Sequence, residues 1–429
     1  MSTTAQAPPR HDLAADCYAL ARRAQAAGQA MLAIGGAARN AALRKVADRL
    51  VASAAEIRDA NAHDLAAGQQ AGLSAAMLDR LKLDDARIRK MADGVRQIAD
   101  QPDPVGQIIE GRVLPNGIRL EKVRVPIGVI LFIYESRPNV TSDAAALCIK
   151  SGNALILRGG KEAARSNAVL SRCISDALAE SGLPADSVQF VATTDRAAVG
   201  ELLKLDGLID LCIPRGGESL IRAVVEQSRI PVIKHYTGNC HVYVDADADA
   251  TMARTICVNA KVQRPGVCNA AETLLFHATA AERGLLSQVC DDLIAKGVEL
   301  RGDEATRRLV PAAKPASEED WGTEYLDLIV AVKVVASLED AIDHINRHGS
   351  KHTDAIVTSD LAAADAFVQR VDTANAFVNC STRFSDGGEY GLGAEIGIST
   401  DKLHARGPMG AADLTTYKWI ARGSGQVRG

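Results

Sequence analysis

Leu43, Val46, Ala47, Leu50, Ala54 and Ile57 recur three or four residues apart, with Arg44, Lys45, Asp48 and Arg49 between them. That spacing predicts amphipathic helix, and the opening hundred residues read as a helical layer. A change of period follows. Val113, Ile118, Leu120 and Val123 flank Pro115-Asn116-Gly117, which predicts two short strands around a tight turn, since Asn-Gly supplies the positive φ angles of a hairpin. Such a hairpin is either a surface feature of its own chain or an arm that pairs with another subunit. From Ile127 onward apolar runs alternate with helical stretches: IGVILFI, then ALIL from Ala154, SVQFV from Ser187, LIDLCI from Leu208 and PVI from Pro231. A second series comprises HVYV from His241, ETLLF from Glu272, LIVAVKVV from Leu328, AIVT from Ala355 and AFVN from Ala376. Nearly continuous apolar strands between helices mean parallel sheets with helical crossovers, so two α/β domains are expected. The tail after Gly387 is glycine-rich with little regular pattern; it either wraps the domains or pairs with the hairpin.

Composition narrows the possibilities. The 429 residues are 47% hydrophobic and 24% charged, with a net charge of -4 and no long run of one sign, which argues against a nucleic-acid partner. The opening MSTTAQAPPR has no apolar core of the signal-peptide kind, and no stretch reaches the roughly 18 apolar residues of a membrane span. A cytosolic protein without membrane association is expected. Nine cysteines lie scattered with no CxxC pair, which points to reduced thiols and neither a disulfide framework nor a zinc ribbon.

One of those thiols stands apart. Cys268 lies in Gln263-Arg264-Pro265-Gly266-Val267-Cys268-Asn269-Ala270, a loop before the strand ETLLF, whereas Cys148, Cys173, Cys212, Cys257 and Cys290 fall within apolar patterns that packing explains. A working thiol reacts as its thiolate and needs positive charge nearby, for which Arg264 is a candidate. Two turns after strands, Arg158-Gly159-Gly160-Lys161 and Pro214-Arg215-Gly216-Gly217-Glu218-Ser219, offer glycines, a cation and a helix start, as phosphate binding requires. Gly391, Gly393 and Gly397 read as turns. His344, His348 and His352 share a helical spacing, but Gly349 ends the helix between them, so no metal site is expected.

These residues sit in longer strings that carry a resemblance: VPIGVILFIYESRPNVTSDAAALCIKSGNALILRGGKEA, KHYTGNCHVYVD, QRPGVCNAAETLL, HTDAIVT and HARGPMGAADLTTYKW. Over nearly its whole length the chain resembles the gamma-glutamyl phosphate reductase family of the aldehyde dehydrogenase superfamily, and ESRPN, YTGNCH and HARGPMG are particular to that family. The resemblance implies an aldehyde dehydrogenase-like α/β fold in three parts. These are a Rossmann-type cofactor domain (1–110, 126–237 and 365–386), an α/β catalytic domain (238–364) and a small β oligomerisation element (111–125 and 387–429). It also implies a homo-oligomer, NADPH as cofactor, and reduction of L-glutamyl 5-phosphate to glutamate 5-semialdehyde, the second step of proline synthesis from glutamate.

Residue by residue, the resemblance makes Cys268 the nucleophile and Asn139 an amide that holds the oxyanion. It places Arg158, Lys161, Arg215, Gly216, Gly217 and Glu324 at the cofactor, with Lys161 suited to the adenosine 2′-phosphate; Glu324 is otherwise a solvated carboxylate. Arg137 and Arg264 fall to the substrate's anionic groups or to bracing the loops. His235 stands where hydrolytic relatives keep a water-activating glutamate, and Lys351 where family members often have glycine. Two rivals remain: a non-phosphorylating aldehyde dehydrogenase that releases the free acid, and a non-catalytic subunit associated with glutamate kinase.

Overall fold

The apolar runs after Ile127 form the strands Val129–Tyr134, Ala154–Gly159, Val188–Phe190 and Leu211–Arg215. In this computed structural model, which describes residues 12–135 and 137–428, they make a four-stranded parallel sheet in the order 188–190, 154–159, 129–134, 211–215. The opening MSTTAQAPPR lies outside the described residues. PVI, expected as a fifth strand, contributes only an isolated bridge, Cys212 to Val232. Pro231 begins that run and brings no N–H for a ladder. Helices cover the sheet: Ala21 and Ala24 of the helix Leu13–Met31 pack with Leu131, Ile133 and Ile156 in one buried cluster.

The helical layer divides at Ser53, so the periodic positions fall on two helices. Leu43, Val46, Ala47 and Leu50 are buried along Gly36–Ala52, and Ile57 along Ala54–Gln70. The predicted hairpin is formed by Ile108–Val113 and Arg119–Pro126, with Gly117 at φ +83° in its turn. The C-terminal strand Thr415–Arg422 pairs antiparallel with Arg119–Pro126, so this part of the tail joins the hairpin. Ile108, Ile109, Val113, Tyr417 and Trp419 of this three-stranded arm are exposed.

The second apolar series builds a seven-stranded parallel sheet in the order 314–315, 299–302, 329–335, 271–277, 240–244, 353–357, 375–378. All five expected strands are present. Glu299–Gly302 and Lys314–Pro315 were not expected, being too short and polar to show a strand pattern. Residues 365–386, grouped with the cofactor domain from the family resemblance, supply the edge strand Asn375–Val378 of this sheet. Val242, Val244, Leu274, Phe276, Val330 and Val332 form its core with Leu286, Val289 and Leu293 of the helix Leu285–Ala295.

By compactness the chain divides into one unit of 1–233, 392–396 and 410–429, and another of 234–391 and 397–409. Among the described residues, no helix is long and apolar enough to cross a membrane.

Candidate active site

Three adjacent strands of the second unit, 271–277, 240–244 and 353–357, run parallel, so the loops that precede them meet at one edge of the sheet. Cys268 is on the first of these loops, His235 on the second and His352 at the end of the third.

The helix Ala250–Val262, capped by Asp249 accepting from the Met252 N–H, ends just before Arg264-Pro265, where proline forbids another turn. The loop is then fastened from below. Asn269 Nδ2 donates to the Ser385 carbonyl at 2.8 Å, and Thr382 Oγ1 donates to the Asn269 carbonyl at 2.7 Å. The Cys240 thiol donates to the Cys268 carbonyl at 3.1 Å, and burial pushes that thiol well above its ordinary pKa, so it stays protonated. Gly238 of YTGN lies against the same carbonyl, and a Cβ there would overlap it. Cys268 itself is half-buried, whereas Cys17, Cys148, Cys173, Cys212, Cys240, Cys257 and Cys290 are buried. Burial raises the pKa of the Cys148, Cys212 and Cys257 thiols, and that of Cys290 to about 12, which leaves them inert near neutrality.

The ligating atoms of His235, Cys268 and His352 all lie within 4.8 Å of one another. His235 Nδ1 is 2.9 Å from the Ile398 carbonyl, an arrangement in which Nδ1 carries the proton and Nε2 the lone pair. The His352 ring is fully buried, 2.9 Å from Thr353 Oγ1 through Nδ1, and meets His235 edge-on with centroids 5.5 Å apart. His352 was not singled out from sequence as a site residue. The helix of His344 and His348 ends at Gly349, as expected; those two rings stack on each other at 4.6 Å while His352 turns to Cys268.

A second cation also escaped notice. Arg383 donates through Nε to Gln263 Oε1 at 2.8 Å, and its pKa is lowered by burial and then by the Arg264 charge, while Cys268 acts on it in the opposite sense. Arg264, exposed, and Arg383, half-buried, thus flank the thiol loop. No motif marks Arg383; it follows an edge strand in CSTRFSDGG.

Glu324 precedes the strand Ile329–Val335, which lies on the other side of 271–277, so it too belongs to this edge. Beneath it Lys261 and Glu272 form a fully buried ion pair at 2.5 Å. Burial raises the Glu272 pKa to about 7 even with Lys261 opposing the shift. Glu272 also accepts the Leu326 N–H at 3.4 Å, and Tyr325 donates to Asp320 at 2.8 Å, so the segment carrying Glu324 is pinned on both sides of Tyr325.

The remaining predicted residues occupy the first unit, where strands 154–159, 129–134 and 211–215 are neighbours and their C-terminal ends share an edge. Ligands bind at that edge in doubly wound sheets. Arg158 is 7% exposed and donates to the Thr194 carbonyl at 3.0 Å, to that of Asp195 at 3.4 Å and to that of Gly159. Its Nε is a buried donor with no hydrogen-bond partner. Lys161, two residues past the strand, is exposed. Arg215 pairs with Glu395 at 3.5 Å. Gly217 caps the helix Glu218–Gln227, and its N–H, offered to pyrophosphate from sequence, donates to Glu135 Oε2 at 3.1 Å; Gly216 packs against the same carboxylate. Arg137 is exposed. Asn139 opens the helix Asn139–Lys150 and donates through Nδ2 to Asp143 Oδ2 at 3.1 Å, where burial raises the Asp143 pKa to about 6.

The chain is similar to known proteins over most of its length. The aldehyde dehydrogenase family model matches residues 4–296. A gamma-glutamyl phosphate reductase of Geotalea daltonii is 54% identical over 409 residues, 95% of this chain and 98% of that protein, and one of Caldanaerobacter subterraneus is 51% identical over 408 residues, with the same coverage. The crystal structure of the gamma-glutamyl phosphate reductase of Thermotoga maritima superposes with a TM-score of 0.94 at 43% identity, covering 96% of this chain and all of that one. An acetylating aldehyde dehydrogenase of Geobacillus thermoglucosidasius shares the fold with a TM-score of 0.69 at 17% identity. The chain belongs to the gamma-glutamyl phosphate reductase family, within the aldehyde dehydrogenase superfamily.

Proposed function

We propose that the chain works in the cytosol as a gamma-glutamyl phosphate reductase, converting L-glutamyl 5-phosphate and NADPH to L-glutamate 5-semialdehyde, phosphate and NADP in proline synthesis. The observation that carries this reading is the half-buried Cys268 beside two histidines, in a chain matching such reductases over 95% of its length.

The Cys268 thiolate adds to the acyl carbon, the carbon–oxygen bond to phosphate breaks, and the oxygen keeps the electron pair. The overall proton goes to the departing phosphate, an anion for which Arg264 and Arg383 flank the loop and to which we assign His235. Arg137 is assigned to the substrate's carboxylate. The oxyanion is assigned to the Asn139 amide and the Cys268 backbone N–H, the donors the superfamily keeps at these positions. NADPH, when bound, supplies hydride to the thioester carbonyl. The carbon–sulfur bond of the resulting hemithioacetal then breaks, which returns the thiolate and frees the aldehyde.

For the cofactor we assign Lys161 to the 2′-phosphate, Arg158, Arg215, Gly216 and Gly217 to the phosphates and their turn, and Glu324 to the nicotinamide ribose. The partnerless Nε of Arg158, a buried donor at that edge, fits an anionic ligand there. Homo-oligomerisation through the exposed arm, and association with the glutamate kinase that makes the labile acyl phosphate, belong to the same proposal.

Run backward on pyrroline-5-carboxylate with NADP, the enzyme should require inorganic phosphate and lose turnover with Cys268→Ala while still binding NADPH. Equal turnover without phosphate would instead identify a hydrolytic aldehyde dehydrogenase.

A further inference from the structure

We infer that His235, Cys268 and His352 together form a binding site for a borderline-soft divalent metal ion, Zn²⁺ in the first place, and that the bound ion reversibly masks the thiol. The inference depends on the convergence of these three side chains and not on the reductase reaction.

Among the described residues these are the only three His, Cys, Asp or Glu side chains that converge in this way, with ligating atoms all within 4.8 Å of one another. Two imidazoles and a thiolate make the mixed nitrogen and sulfur set that zinc prefers, and three protein ligands leave a fourth tetrahedral position to water or an anion. The surroundings are those of a supported site. The Ile398 carbonyl, 2.9 Å from His235 Nδ1, fixes the tautomer that presents Nε2, as outer-shell partners of metal-bound histidines do. Nδ1 of His352 is engaged by Thr353 Oγ1 at 2.9 Å, a hydroxyl that can accept from Nδ1 and so allows the tautomer with the lone pair on Nε2. His352 adjoins a central strand and is fully buried, and the Cys268 backbone is clamped by Gly238 and the Cys240 thiol. Little ordering therefore remains for the ion to impose.

The other histidine-rich region differs. His241 is hydrogen-bonded to Asp354 at 3.0 Å, and His344 is packed between the rings of Trp321 and His348, so their ring nitrogens do not converge on a point. At Cys268, coordination replaces the S–H bond by an S–Zn bond and releases the proton to solvent. The sulfur's electron pair is then committed to the metal, which removes the nucleophile without oxidising it.

The test uses the full chain, washed with chelator and titrated with Zn²⁺ against a chromogenic chelator, while iodoacetamide alkylation of Cys268 is followed by peptide mass. One ion should bind per chain at micromolar or lower concentration, alkylation should slow at least tenfold, and EDTA should restore it. Millimolar Mg²⁺, a hard oxygen-seeking ion, should leave alkylation unchanged. Cys268→Ala and His235→Ala should each weaken Zn²⁺ binding at least tenfold. His235 is half-buried and tolerates truncation better than His352, so the inference does not rest on a variant that fails to fold. Undiminished Zn²⁺ binding in both variants, or alkylation of Cys268 at the same rate with and without Zn²⁺, would overturn it.

Discussion

The two sheets use opposite edges. In the first unit the candidate groups follow strands, on turns that open helices such as Asn139–Lys150 and Glu218–Gln227. In the second, Cys268, Glu324 and His352 precede strands, Cys268 on a loop that returns from the helix Ala250–Val262, and only Arg383 follows one. The difference is electrostatic. A helix start presents unpaired N–H groups and the positive end of its dipole, so backbone alone receives much of an anion. A helix end presents carbonyls and disfavours one. At the Cys268 edge an anion must therefore be met by side chains, and Arg264 and Arg383 flank the loop there.

If that edge is a side-chain construction on a clamped backbone, the severest insult is to the clamp. Gly238→Ala forces a Cβ into the Cys268 carbonyl and must displace the nucleophile's loop. Displacement of a reacting group by about 1 Å costs on the order of 10²-fold in rate. Turnover should fall by about that much, while NADPH affinity, assigned mainly to the other edge, changes by about threefold or less. An equal loss of both in titration and steady-state assays would erase the distinction between the edges.

The largest expected cost to stability, as distinct from turnover, lies in the ion pair beneath Glu324. Lys261→Met removes the partner of a fully buried carboxylate, and breaking such a pair destabilises a protein by about 3–5 kcal/mol. Urea unfolding should show that loss. Lys261→Met combined with Glu272→Leu should recover much of it, because two apolar groups leave no orphaned charge. A rescued fold with raised KM for NADPH would show that the pair positions the Glu324 segment.

A smaller effect depends on pH. Burial, helped by the neighbouring His241 ring and the Lys333 charge, pushes the His344 pKa down to about 2. Its folded pKa is thus below the roughly 6.5 of an unfolded chain, so the unfolded state takes up the proton first and stability is lost as pH falls below about 6.5. Glu272, with its raised pKa, works in the opposite direction between its unfolded value and about 7, so the wild-type profile alone mixes the two. The difference between wild type and His344→Gln isolates the histidine. It should shift against the wild type by about 1.4 kcal/mol per pH unit below pH 6.5, and a constant difference from pH 7.5 to 5 would refute the buried neutral ring.

Much of this architecture was legible in the sequence, because buried parallel strands are apolar on both faces and stand out wherever they exceed four residues. The strands at 299–302 and 314–315 are short and polar, the latter at the sheet's edge, and do not. Cys268 stood out in the sequence by its loop and its family motif, and the two candidate phosphate turns by their glycines, cations and helix starts, whereas Asn139 and Glu324 were proposed from the resemblance alone. His352 was not legible, since its approach to Cys268 depends on 240–244 lying between 271–277 and 353–357, a strand order that no local pattern encodes. The pairing of Lys261 with Glu272 was hidden for the same reason: lysine and glutamate read as surface until the helix and strand that carry them are packed together.

The slightest predicted effect concerns the approach to His352. Lys351 has φ +62°, a left-handed conformation that costs a residue with a Cβ about 1–2 kcal/mol and glycine almost nothing. Lys351 also pairs with Asp372 at 2.8 Å, but Asp372 is held in addition by Arg406 at 2.8 Å and Lys402 at 3.2 Å, and its acidity rests on all three. Removing one exposed member of that cluster loses about 0.5 kcal/mol. Glycine also enlarges the unfolded ensemble, which offsets about 0.5–1 kcal/mol of the relief. Lys351→Gly should therefore change stability by no more than about 1 kcal/mol, with turnover unchanged. Lys351→Ala loses the same ion pair but keeps the Cβ at φ +62°, so it should be the less stable of the two by about 1 kcal/mol in denaturant midpoints; the reverse order would show that glycine's freedom in the unfolded chain outweighs the strain of this turn.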